Sequence, residues 1–145
     1  MHRQTRGDRI FVYGMLLVRA PEKATLPGYR LEFDGFADVV PDEDSEVLGG
    51  VITCSDERPY STLAHYDGIE GVDHRDPTSR SGLYRREWVE LADGTFAWVY
   101  RMNRRSHAPY PPSSFYLDIV RDGYERHGHD EDVLLDAIER PYSIT

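Results

Sequence analysis

Cysteine is nearly absent: Cys54 is the only one among 145 residues. A single thiol forms no intrachain disulfide and builds no cysteine metal site, which suits a reducing compartment. Its place in the apolar run Val51-Ile52-Thr53-Cys54 reads as a buried, inert thiol rather than a nucleophile. Positive charge is scarce as well. Seventeen Lys and Arg stand against 26 Asp and Glu, a formal net charge of −9, and that average field repels a phosphate backbone. The clusters Arg3, Arg6, Arg9 and Arg101, Arg104, Arg105 read as solvated basic edges, so no nucleic-acid partner is expected. Long hydrophobic runs are missing too. The apolar stretch over residues 10–18 contains Tyr13 and Gly14, is closed by Arg19, and is too short to span a bilayer. Basic residues ahead of it resemble the order of a secretory signal, but a core strand entering a turn explains it better. A cytoplasmic protein without a membrane partner is expected.

Several chemistries are excluded in the same way. The chain has no G-x-G-x-x-G, no phosphate-binding P-loop, no G-x-S-x-G elbow and no H-E-x-x-H. The acidic stretch Pro41-Asp42-Glu43-Asp44-Ser45-Glu46 lacks the ligand spacing and central glycine of a calcium loop, and reads as a solvated loop. His127-Gly128-His129 straddles a helix-ending glycine, where histidines complement the negative end of the helix dipole. No metal and no cofactor is expected.

What is present is an ordinary globular composition, 39% hydrophobic and 30% charged. It points to a loose segment over residues 1–8 and a single domain over residues 9–145. Residues 9–13 read as a buried strand stopped by Gly14, residues 21–27 as a proline-bounded loop, and residues 29–33 as an alternating second strand. Residues 47–55 form an apolar strand whose Gly49 and Gly50 suggest a bulge or a close backbone approach. Residues 61–66 carry one or two helical turns ending toward Gly68, with Ser61 or Ser55 as caps. A polar loop over residues 73–82 follows, expected to be mobile. Residues 84–91 and 95–102 alternate around Asp93-Gly94, a strong hairpin signal, and Trp88 and Trp98 read as sheet packing. Ser113 or Ser114 caps a helix that runs to His127 and ends at Gly128, and a last helix occupies residues 130–139.

Four short motifs stand out by their order. Ile10-Phe11-Val12-Tyr13-Gly14-Met15-Leu16 runs a strand into a glycine turn, where successive backbone N–H groups converge on a carboxylate or a polarised carbonyl. Tyr66-Asp67-Gly68-Ile69-Glu70-Gly71 sets Glu70 beside a glycine. Tyr84 opens a strand. Pro112-Ser113-Ser114-Phe115-Tyr116 begins a helix that continues through Ile119 and Gly123. In this order the motifs resemble those of the γ-glutamylcyclotransferase superfamily, which includes the γ-glutamylamine cyclotransferases and the AIG2-like proteins. The resemblance covers residues 9–135. It departs from the family pattern at Met15, in place of a small hydroxyl residue; at Tyr66, in place of leucine; and in a longer stretch between Glu70 and Tyr84.

The resemblance implies an α+β fold in which a mixed, strongly curved sheet approaches a small β-barrel with helices packed outside. It implies an enzyme that releases 5-oxoproline and a free amine from a γ-glutamyl peptide or amine, with Glu70 as general base and then acid. Val12, Tyr13, Gly14, Met15 and Leu16, mainly through backbone, and Tyr84 and Tyr116, through their hydroxyls, are the implied substrate-binding residues. The expected partner is a small γ-glutamyl molecule, and the expected state a monomer or homodimer. Two other functions fit the same residues: removal of a γ-glutamyl group from a larger metabolite, favoured by the long stretch after Glu70, and a non-catalytic γ-glutamyl-binding module, favoured by Met15.

Overall fold

The computed structural model describes residues 9–54, 63–73, 75–103 and 111–139. Its first strand, β1 (Arg9–Val12), is short and buried on both faces, as its unbroken Ile-Phe-Val run requires. It lies at the centre of a five-stranded sheet with β2 (Glu22–Asp34), β3 (Phe36–Thr53), β4 (Tyr84–Glu90) and β5 (Phe96–Met102), in the order β2-β3-β1-β5-β4. β1 pairs parallel with β5 and antiparallel with β3; the β2–β3 and β4–β5 hairpins are antiparallel. The sheet is therefore mixed.

Alternation along these strands divides the interior into two cores. Phe11, Val51 and Val99 face one, which Val120 and Tyr124 of α2 (Ser114–His127) and Leu134 of α3 (Glu131–Glu139) cover from outside. Ile10, Val12, Ile52 and Tyr100 face the other, with Leu16 and with Tyr66 of α1 (Leu63–Glu70). Each large apolar side chain taken fully out of water contributes roughly 1.5–3 kcal/mol, so the central strand anchors both halves.

The sheet curls until its ends approach. Ala92 after β4 donates its N–H to the Thr25 carbonyl of β2 at 2.9 Å. At the end of β5, Arg101 Nε donates to the Val39 carbonyl at 3.2 Å, and Met102 N–H donates to Asp38 Oδ1 at 2.9 Å. These links fold the start of β3 back over β5, and the expected barrel-like, strongly curved sheet with outer helices is what forms.

Three local expectations are corrected. Residues 21–27 are not a loop: β2 begins at Glu22, and Pro27 is accommodated because β2 is an edge strand. The acidic stretch is not a free loop either but lies within β3. Pro41 pairs with Tyr29 and Glu46 with Pro27, so the residues between them bulge opposite Gly28. There Asp42 accepts from Asp44 N–H and the Ser45 hydroxyl, which closes the bulge on itself. The helix expected to stop near Gly68 continues to Glu70; Ser55 and Ser61 lie outside the described residues.

Gly49 and Gly50 pair in unbroken register with Ala24 and Lys23, so no bulge forms there; instead the backbones approach closely, and a Cβ on Gly49 would run into the Val12 carbonyl oxygen. The second hairpin and α2 form as expected. β4 and β5 flank Asp93-Gly94, and Trp88 and Trp98 meet edge to face at 5.1 Å. In α2, Ser113 accepts from Tyr116 N–H, and Gly128, at φ +66°, ends the helix. His127 and His129 turn their Nε2 atoms to the backbone oxygens of Leu17 and Gly49. The polar stretch expected to be mobile is tied to the sheet over residues 75–82: Arg86 N–H donates to the Pro77 carbonyl, and the Asn103 amide donates to the carbonyls of Ser79 and Gly82. Among the described residues no helix is long and apolar enough to cross a membrane.

Candidate active site

β1 runs out of the sheet at Val12, and the chain turns through Tyr13 and Gly14 into a short 3₁₀ turn, Met15–Arg19, which the glycine-turn reading did not anticipate. A Cβ on Gly14 would lie 2.6 Å from the Tyr116 hydroxyl oxygen, so any larger residue here displaces Tyr116. The first hydrogen bond of the turn runs from Leu17 N–H to the Gly14 carbonyl, so the Met15 and Leu16 N–H groups lie outside its own ladder. The Met15 N–H faces the Tyr116 oxygen.

Glu70 ends α1 for an equally local reason. Gly71 adopts φ +70°, Val72 N–H bonds back to the Asp67 carbonyl at 2.8 Å, and Gly71 N–H faces the Gly68 carbonyl at 3.4 Å. This left-handed cap stops the helix and leaves Glu70 as its last residue. One turn earlier on the same face, Asp67 is completely buried. It pairs with Arg86 of β4 at 2.9 Å and accepts the Tyr100 hydroxyl of β5 at 2.9 Å. The Arg86 guanidinium in turn lies 4.4 Å from the Trp98 ring centroid. A buried ion pair is worth little against an apolar alternative, but it has one satisfactory geometry. Here that geometry clamps α1, and with it Glu70, to the sheet.

Between the 3₁₀ turn, α1 and the start of β3 lies a cavity of about 290 Å³. All eight residues singled out from the sequence line it: Val12, Tyr13, Gly14, Met15, Leu16, Glu70, Tyr84 and Tyr116. Phe11, Phe36, Ala37, Ile69, Leu83 and Tyr100 complete the wall and were not anticipated. Glu70 is the one charged side chain among these lining residues. Burial raises its carboxyl from 4.5 to about 7. Desolvation disfavours the anion, and no Lys or Arg stands among the described residues lining the cavity. Burial lifts the hydroxyl pKa values of Tyr13, Tyr84 and Tyr100 well above the ordinary value. It is helped by the charge of Asp38 at Tyr13, of Asp67 at Tyr100 and, to a smaller extent at both, of Glu70, which is the main charge acting on Tyr84. Burial also pushes Tyr116 up to about 12, against the lowering effect of the Ala37 N–H. The tyrosines are therefore neutral donors and acceptors, never phenolates, near neutral pH.

Their hydrogen bonds separate the roles open to them. Tyr84 donates its hydroxyl proton to the Ala37 carbonyl at 3.0 Å, which leaves only lone pairs for a ligand. Tyr116 does the reverse: its oxygen accepts the Ala37 N–H at 3.0 Å, so its proton remains to be donated. Tyr13 donates to the Tyr100 carbonyl, so its side chain braces the wall rather than reaching a ligand. One residue, Ala37, thus sets one tyrosine as acceptor and the other as donor on the same cavity. No sequence motif carries that information.

The family model described as "Gamma-glutamyl cyclotransferase, AIG2-like" matches residues 10–118. The chain belongs to that family. No curated protein matches it significantly. Among solved structures, an uncharacterized protein from Homo sapiens is 23% identical, with a TM-score of 0.69 over 97% of this chain and 92% of that one. A structure titled "Gamma-glutamyl cyclotransferase" is also 23% identical, with a TM-score of 0.65 over 95% of this chain and 90% of that one. At that identity the two likenesses establish the shared fold.

Proposed function

We propose that this protein is a γ-glutamyl cyclotransferase that releases 5-oxoproline and a free amine from a γ-glutamyl amide, with Glu70 as general base and then general acid. The observation that carries the reading is a desolvated carboxyl, with a pKa of about 7, lining the same cavity as the turn after β1. A base of that pKa is half ionised at neutral pH, where it both accepts and returns a proton readily.

The chemistry is an intramolecular aminolysis. The α-nitrogen, Cα, Cβ, Cγ and the γ-carbonyl carbon of a glutamyl group close a five-membered ring when the amine attacks the carbonyl. Holding that folded conformer converts flexibility into rate, since well-oriented intramolecular attack reaches effective molarities of roughly 10⁵–10⁸ M. Tyr84, with lone pairs to offer, is suited to the α-ammonium. Tyr116, with its proton to donate, is suited to the carbonyl oxygen as it becomes an oxyanion or to the glutamyl carboxylate. The Leu16 N–H, which lies outside the ladder of the 3₁₀ turn, offers a further donor to the same anions. A single well-aimed donor is worth roughly 10²–10³-fold in kcat.

Glu70 takes a proton from the ammonium, and the free amine attacks. Glu70 then protonates the leaving nitrogen, and the amide C–N bond breaks. The second proton of the ring nitrogen ends on the released amine. No water is consumed and the carboxylate is regenerated, so neither a metal nor a redox group is required.

The test is incubation with γ-glutamyl-amino acids, γ-glutamyl-amines and glutathione, with separate detection of 5-oxoproline and free glutamate. The expected product is 5-oxoproline, lost in Glu70→Gln. Glutamate in its place would make the protein a hydrolase and refute the cyclisation.

A further inference from the structure

The two ends of the cavity differ in chemistry. Its inner wall carries the polar groups just described, while its mouth is ringed by large apolar side chains. Met15 is 42% exposed, Ile69 46%, Phe36 58% and Leu83 75%, and all four line the cavity. They come from four separate segments: the 3₁₀ turn, α1, the start of β3 and the stretch before β4. Single exposed hydrophobes are ordinary on a protein surface, but a cluster converging on one opening marks a place where something apolar is bound.

The rim is also held in place. Leu83, the most exposed of the four, donates its N–H to the Gly71 carbonyl at 2.9 Å and accepts Asn103 N–H at 3.0 Å. Its side chain packs over Gly71, next to Glu70. The Phe36 ring stands edge-on to Tyr116, 5.2 Å between centroids. A preformed apolar collar loses little freedom when a ligand covers it.

Charge argues in the same direction. No Lys or Arg is among the described residues lining the cavity, and the carboxylates of Asp34 and Asp38, with Glu70, act on Tyr84. Among the described lining residues a second carboxylate carried out through this mouth would meet no cation. A volume of about 290 Å³ is at the small end for ligand sites. A glutamyl group placed among the polar groups therefore sends its amide substituent toward the collar.

We infer that the amine released by this protein is apolar, an alkyl- or arylamine seated against Met15, Phe36, Ile69 and Leu83, rather than an amino acid bearing its own carboxylate. The inference rests on the cyclotransferase reading and narrows its substrate class.

A series of γ-glutamyl amides tests it: methylamide, propylamide, pentylamide and benzylamide, against γ-glutamyl-glycine and γ-glutamyl-alanine. The expected result is kcat/KM rising roughly fourfold for each methylene brought against the collar, mainly through KM. The benzylamide should exceed γ-glutamyl-glycine at least about tenfold, by the sensitivity of apolar pockets to small groups. Leu83→Ser should flatten the series, and Met15→Ser provides a second variant at a different segment. A flat series, or preference for the carboxylate-bearing amides, overturns the inference and leaves the cyclotransferase reading intact. If no amide yields 5-oxoproline, that reading fails instead. Calorimetric binding of the same series to Glu70→Gln then judges the collar separately: tighter binding of the longer amides supports it, and equal binding overturns it. Self-association that Leu83→Ser abolishes would assign the collar to a second copy and also overturn the inference.

Discussion

Replacing Glu70 by glutamine should stabilise the fold at alkaline pH while ending its proposed chemistry, and the size of the gain follows from the burial of one carboxyl. Its pKa rises from 4.5 to about 7 because the cavity wall strips water from the anion. The folded chain therefore holds this proton to higher pH than the unfolded chain does. The resulting stability is fully present below about pH 4.5 and is lost as pH rises through 7. The gap of about 2.5 (7 less 4.5), at roughly 1.4 kcal/mol per pH unit, sets the loss at about 3 kcal/mol. Glutamine has nearly the same shape and never ionises. Glu70→Gln and the parent should therefore differ little near pH 4, apart from a constant offset. The variant should gain about 3 kcal/mol by pH 8.5, or roughly 6–12 °C in Tm for a chain of this size. Urea or thermal unfolding of both proteins from pH 4 to 9 measures this directly, because the other carboxylates cancel in the difference. A difference that stays flat across that range would mean the cavity does not desolvate Glu70. The physical basis for its role as base would then be gone.

The same ionisation should govern turnover: kcat/KM should rise with pH through a single group near 7, and an inflection near 4.5 would refute the burial argument. Glu70→Gln should lower kcat by about 10²–10⁴-fold in the 5-oxoproline assay. Tyr116→Phe removes both the acceptor for Ala37 N–H and the proton proposed for the oxyanion. About 1–3 kcal/mol of stability and roughly 10²-fold in kcat should be lost together, measured by urea unfolding and steady-state kinetics. Asp67→Ala takes the carboxylate away from Arg86 and should cost about 3–5 kcal/mol in urea unfolding; a cost below about 1 kcal/mol would show that the pair does not hold α1. Gly14→Ala drives a methyl group into the Tyr116 hydroxyl, so activity should fall sharply while circular dichroism reports an intact fold.

Local chemistry was sufficient for β1, the β4–β5 hairpin and α2. An apolar run, an Asp-Gly turn between alternating segments, and a Ser cap paired with a terminal glycine each impose their conformation within a dozen residues. It also sufficed to name the cavity-lining Glu70, Tyr84, Tyr116 and the turn after β1, because their order along the chain matches a known pattern. Reading failed where a distant partner decides the outcome. Residues 41–46 look like a solvated loop, yet they form a strand bulge because Tyr29 and Pro27 hold the flanking pairs. The 3₁₀ turn after Gly14 depends on packing against α2, which begins 100 residues later in the chain.

The amino-acid order thus settled which residues carry charge, which turns close and which side chains are drawn from water, since these preferences act between near neighbours. The folded arrangement alone decided that Phe36, Ile69 and Leu83 ring one opening, that Ala37 makes Tyr84 an acceptor and Tyr116 a donor, and that Asp67 meets Arg86 beneath Glu70. Each of these depends on groups from different elements of the chain being brought together. Such meetings come from the curl of the sheet, a global balance of burial and strand pairing that no short stretch of chain encodes.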